Sequence, residues 1–153
     1  MKLLLLLLPI YLLALTPSQI SIAKKCYEYG KPYDLGNTLA GICMVESSLG
    51  EHVIGSTNDY GITQINIYSH LNRLGIRPTS TMISKYATIL VRDDNYALAA
   101  AVAELQYWQL DRERTNWAHL VNSYHNGSHI NNPNYATKVT KAIRYLKKNG
   151  IIK

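Results

Sequence analysis

Leu35, Leu39, Ile42, Cys43 and Leu49 recur at helical spacing. On a wheel of ~100° per residue they fall within an arc of about 120°, so this stretch predicts a helix with one face against a core. Glu46 lies near the middle of the same arc. A carboxylate at the centre of a buried face is costly unless it is neutral or partnered. In the last turn of a helix, the negative end of the helix dipole also disfavours an anion. Both effects favour the protonated form, which is what a general acid needs. The bland alternative is a stripe that ends early and leaves Glu46 solvated. The wheel alone leaves both readings open.

The rest of the chain also reads as helix. Asp34 is placed to cap the helix that runs to about Leu49, with Gly50 just past its end. Residues 50 to 60 form a polar loop. Thr79 and Ser80 open a helix to about Val91. Residues 93 to 113, rich in alanine and leucine, predict the longest and central helix. Asn116 opens a short helix ending at Gly127, and Asn132 and Pro133 start a last one, with proline at its first position and Gly150 beyond its end. No segment alternates cleanly as a strand does, although 61 to 66 is a candidate for a short one. No internal repeat is present. The expected fold is mainly α.

The chain begins with Lys2 and then a 13-residue run, Leu3 to Leu15, apolar except for Pro9 and Tyr11. That run is short for a bilayer span. Ser21-Ile22-Ala23 follows as a small-x-small cleavage signal, completing the layout of a secretory signal peptide over residues 1 to 23. The alternative is an N-terminal anchor that is kept. Cleavage after Ala23 leaves residues 24 to 153, enough for one core and too few for two. The whole chain carries +6, and loss of Lys2 leaves +5. A basic exported protein suits anionic surfaces such as cell wall. No nucleic-acid motif is present. Cys26 and Cys43 lie too far from a histidine pair to suggest a metal site. In an exported protein they are either a disulfide, contributing about 3 kcal/mol, or two separate buried thiols.

Four short stretches stand in order along the chain: Glu46-Ser47; Gly61-Ile62-Thr63-Gln64; Tyr124-His125-Asn126-Gly127; and Tyr135-Ala136-Thr137-Lys138-Val139. Each is weak alone. Gly61 leaves room for a backbone or sugar to approach closely, and Gln64 offers donors and an acceptor to a neutral polar ligand. On the last helix Tyr135, Val139, Ala142, Ile143 and Leu146 share one face, so the Tyr135 hydroxyl needs a buried partner, a carboxyl such as Glu46 or a backbone acceptor. Lys138, Lys141, Lys147 and Lys148 fall on the solvated side.

In order and spacing the four stretches resemble the soluble lytic transglycosylases, a goose-lysozyme-like family, over about residues 33 to 146. The compact layout is most similar to its small single-domain members that serve secretion, conjugation or pilus machines or phage entry. The resemblance implies a lysozyme-like helical domain with an active-site groove. It makes Glu46 the single catalytic acid and Ser47, Gly61, Gln64, Tyr124, His125 and Tyr135 substrate-binding residues. Three positions depart from the family pattern. Thr63 replaces a methionine, which predicts a more polar groove floor, Ser123 replaces an alanine, and His125 replaces an asparagine.

The implied reaction is cleavage of the MurNAc-β-1,4-GlcNAc bond of peptidoglycan with formation of a 1,6-anhydro end. Glu46 acts as acid and then as base. Tyr124 hydrogen-bonds Glu46 or the sugar, and Ser47 and Gln64 position N-acetyl groups. No cofactor or metal is implied, and a periplasmic or secreted monomer acting on glycan strands is expected. Tyr60, Tyr68 and Trp117 are candidate sugar-packing aromatics. The rival readings are a lysozyme-type hydrolase, which needs a second carboxylate and has Asp59 as its best candidate, and a non-catalytic wall-binding assembly protein.

Overall fold

The computed structural model describes residues 14–128 and 134–153. Helix α1 (Pro17–Gly30) opens with a reciprocal cap, in which the Thr16 hydroxyl accepts from the Gln19 N–H while Gln19 Oε1 accepts the Thr16 N–H. A 3₁₀ turn, Lys31–Tyr33, leads to α2 (Gly36–Ser47), which packs between α1 and the last helix, α7 (Asn134–Lys148). A β-carbon on Gly41 of α2 would sit 2.7 and 2.9 Å from Ile143 and Val139 of α7, so only glycine permits this approach. A two-stranded hairpin follows, β1 (Asp59–Tyr60) and β2 (Ile65–Asn66), antiparallel with Asp59 opposite Asn66. Then come α3 (Ile67–Arg73), α4 (Ser80–Arg92), α5 (Asp94–Gln106), a wider π-helical turn (Tyr107–Asp111) and α6 (Trp117–Asn126).

Most caps lie where local chemistry puts them. The side chains of Asn66, Thr79, Asp93 and Asn116 each accept an N–H from the first turn of the following helix. Asp34 does not cap α2. It ends the 3₁₀ turn in a left-handed conformation, and α2 starts at Gly36 after Leu35 with no side-chain cap. Helix α2 also stops at Ser47, because Ser48, Leu49 and Gly50 all take positive φ. Of residues 61 to 66, only Ile65 and Asn66 are paired strand. The stretch 93 to 113 is not one long helix. It divides at Gln106, and at 15 residues α7 is longer than either part. Asn132 and Pro133 lie outside the described residues.

The core is one cluster running from Ala23 and Cys26 of α1 through Leu39, Ile42 and Cys43 of α2 to Leu98, Leu105, Val121, Val139 and Leu146. The α7 lysines 138, 141, 147 and 148 are exposed, opposite its buried Tyr135, Val139 and Leu146. Among the described residues no helix is long and apolar enough to cross a membrane.

Candidate active site

The C-terminal turn of α2, the hairpin, α3, the π-helical turn and α6 enclose a cleft of about 760 Å³. Glu46 lines it, with its side chain 14% exposed. Ending α2 at Ser47 puts this carboxylate in the last turn of the helix, mostly buried yet lining the cleft. Its ion-pair partner among the described residues is His125 of α6, with Nδ1 3.4 Å from Glu46 Oε1. The His125 ring lies flat on Tyr135, with centroids 4.4 Å apart and planes 5° from parallel.

The Glu46 contact pushes the His125 pKa above its usual 6.5, against partial burial and the Lys138 charge, which lower it; Asp59 adds a smaller upward push. A folded-state pKa above the unfolded value contributes stability below the unfolded value, and that stability is lost as pH rises through the folded one. The imidazole is half exposed, so the gain is screened to about 1 kcal/mol or less. His125→Asn is therefore expected to lower Tm slightly at about pH 6 and not at about pH 8.5, as thermal melts across that window will report.

Tyr124 and Tyr135 flank Glu46 from α6 and α7. Burial raises both phenol pKa values well above the usual 10, and the Glu46 charge is the next cause for each. The Tyr124 hydroxyl donates to the Thr63 carbonyl at 2.7 Å. Its single proton is thus committed to the loop, and towards Glu46 or a sugar it can only accept. The Tyr135 hydroxyl faces Glu46, whose charge and hydrogen bonding both help to hold its proton, although it makes no bond of strict geometry among the described residues. Ser123, which lines the cleft, is buried with its hydroxyl equally unpaired.

Other expected site residues have structural employment. Ser47 is fully buried, and its hydroxyl donates to the Ile62 carbonyl at 2.7 Å and accepts the Gly50 N–H at 3.0 Å. It ties the loop to α2 and does not line the cleft. Gly61 is buried with φ +83, and a β-carbon there would meet the Leu90 carbonyl oxygen at 2.4 Å. The close neighbour is α4, not a sugar. Thr63 is buried and its hydroxyl donates to the Ala97 carbonyl, so it does not make the groove floor polar. Gln64 does line the cleft, held in a left-handed conformation with its amide donating to the Gly61 carbonyl. Tyr60, Tyr68 and Trp117 are not among the lining residues, and the Trp117 indole donates to Thr38.

The aromatic wall is instead Tyr107, Trp108 and Tyr124. Sequence reasoning also missed Glu104 of α5, which accepts from the Trp108 indole at 2.6 Å and pairs with Arg73 of α3. The signal was available, since Glu104 is a lone acid in an alanine- and leucine-rich run, much as Glu46 interrupts an apolar stripe. Asp59 lines the cleft as well, accepting from Thr57 and, at 3.0 Å, from Asn66. Of the three carboxylates, Glu104 and Asp59 are each held by two fixed donors. Glu46 instead stands beside the His125 imidazole and the Tyr135 hydroxyl.

The Transglycosylase SLT domain family model matches residues 26–147, nearly the whole described fold. The chain belongs to this family. Its helical architecture is the lysozyme-like one of SLT domains. Membership indicates a peptidoglycan-degrading transglycosylase. No curated protein and no solved structure matches the chain.

Proposed function

We propose that this SLT-domain protein cleaves the MurNAc-β-1,4-GlcNAc bond of peptidoglycan without water, leaving a 1,6-anhydro-MurNAc end. Glu46 protonates the glycosidic oxygen as the bond breaks. The resulting carboxylate takes the proton of the sugar's 6-hydroxyl as that oxygen closes on C1. The sugar supplies its own nucleophile, so one protein carboxyl suffices where hydrolases use two. The supporting observation is the placement of Glu46 in the cleft, flanked by His125, Tyr124 and Tyr135, while Asp59 and Glu104 are each held by two donors. Gln64 and the Tyr107–Trp108 wall line the same cleft, which supports a role for them in holding sugar rings. The test is mass spectrometry of purified sacculi digested by wild type and by Glu46→Gln. Anhydro-ended muropeptides from the wild type alone support the reading.

One observation favours a second reading, a two-carboxylate hydrolase, because Asp59 shares the cleft with Glu46. The two readings part at Asp59→Asn. A transglycosylase is expected to keep its rate within about threefold, whereas a hydrolase loses 10²-fold or more, as for a missing catalytic carboxylate. A wall-binding protein without activity digests no sacculi in any variant.

The proposal includes export to the periplasm or medium, with residues 1 to 23 removed, and action as a monomer on glycan strands beside a secretion, conjugation or pilus apparatus. In the fold, Ala23 lies within α1 and is fully buried. Processing there precedes folding and leaves α1 to begin at Lys24, without its Thr16 cap. Intact mass of the exported protein is expected to match residues 24 to 153. A mass that retains the leader rejects the cleavage site.

A further inference from the structure

Cys26 of α1 and Cys43 of α2 have no part in the proton chemistry at Glu46. Both are fully buried, and their sulfur atoms face each other at 2.6 Å. The two helices run unusually close here. A β-carbon on Gly36 of α2 would stand 2.9 Å from the Tyr27 carbonyl oxygen of α1. The chain has no other cysteine, so neither sulfur has a competing partner within the molecule.

We propose that Cys26 and Cys43 are joined as a disulfide during folding, fastening α1 to the helix that carries Glu46. Each thiol gives up its proton, the sulfur–sulfur bond forms, and two electrons pass to a disulfide-bearing oxidant, such as an oxidoreductase or oxidised glutathione, which is reduced to two thiols. The attacking species is a thiolate. In the closed fold, burial holds the Cys43 thiol protonated, its pKa well above the usual range, and no oxidant reaches either sulfur. The bond therefore forms before α1 closes on α2, and the finished core shields it from reductants.

The cross-link bears on the active site through the Cys43 carbonyl. That oxygen accepts the N–H groups of Ser48 and Leu49, closing the turn that presents Glu46. Anchoring Cys43 to α1 fixes the base of this turn. Should the leader be removed after Ala23, the bond also holds the short remainder of α1 in place.

The test uses the full chain, refolded in parallel in a mixture of reduced and oxidised glutathione and in excess dithiothreitol. Non-reducing peptide mapping of the first sample is expected to recover Cys26 and Cys43 as one linked pair within a single chain. No thiol then alkylates after denaturation, and Tm stands roughly 10 °C above that of the reduced sample. Dithiothreitol should open the bond in denaturant and not in native buffer. The proposal is overturned if both thiols alkylate after redox refolding, if the bond joins two chains or a glutathione, or if native dithiothreitol opens it. A Cys26→Ser, Cys43→Ser double variant is expected to show no redox-dependent Tm. If that variant fails to fold, the wild-type map decides alone. None of these readouts uses activity, so they stand apart from the reaction proposed above.

Discussion

Glu46→Gln is expected to lower muropeptide release from purified sacculi by about 10²- to 10⁴-fold, the usual worth of a positioned acid–base group. Circular dichroism and Tm should change little. The amide has the carboxyl's shape, and the Leu39 and Ile42 packing beneath it is untouched. On the proposed reaction, what is lost is the proton that passes to the leaving oxygen and the carboxylate that later takes one from the 6-hydroxyl. Because Asp59 and Glu104 are tied to Asn66 and to Trp108 and Arg73, neither is free to substitute. Turnover by Glu46→Gln at the wild-type rate would assign the chemistry to another group.

Gly61→Ala is expected to be the most damaging small change to the fold near the cleft. At φ +83 a side chain costs about 1–2 kcal/mol in backbone strain. The new methyl would also meet the Leu90 carbonyl oxygen at 2.4 Å and the Ala97 side chain at 3.1 Å. Both neighbours are buried, on α4 and α5, and overpacking of this kind costs about 1–3 kcal/mol. Together these predict a loss of about 3 kcal/mol and a fall in Tm of roughly 10 °C, measurable by calorimetry. If the glycine served a sugar, as its motif suggests, Tm would hold and KM would rise.

How far the chain could be read in advance differs from residue to residue, for physical reasons. Thr79 and Asn116 were legible as caps because the bond they make is to their own next turn. Asp34 was not. Its left-handed conformation belongs to a turn closed when the Leu35 N–H reaches the Gly30 carbonyl, and a cap reading takes no account of that contact. The break after Gln106 was also hidden. It accompanies side-chain contacts in which Trp108 donates to Glu104 one turn back and Arg73 of α3 lies over the Tyr107 ring, and alanine-rich periodicity contains neither. The motifs brought Glu46, Gln64, Tyr124 and His125 to one cleft. They did not say which way hydroxyls point, and Ser47 and Thr63 both turn inward to backbone carbonyls. The aromatic wall was misplaced because tyrosine patterns alone do not separate cleft from rim.

The direct measurement is digestion of purified sacculi in water enriched in heavy oxygen, followed by mass spectrometry of every new glycan end. Intramolecular closure by the 6-hydroxyl predicts ends that are one water lighter than hydrolysis products and carry no heavy oxygen. Reducing ends that each hold one heavy oxygen atom would mean that water attacks C1, and would contradict the account.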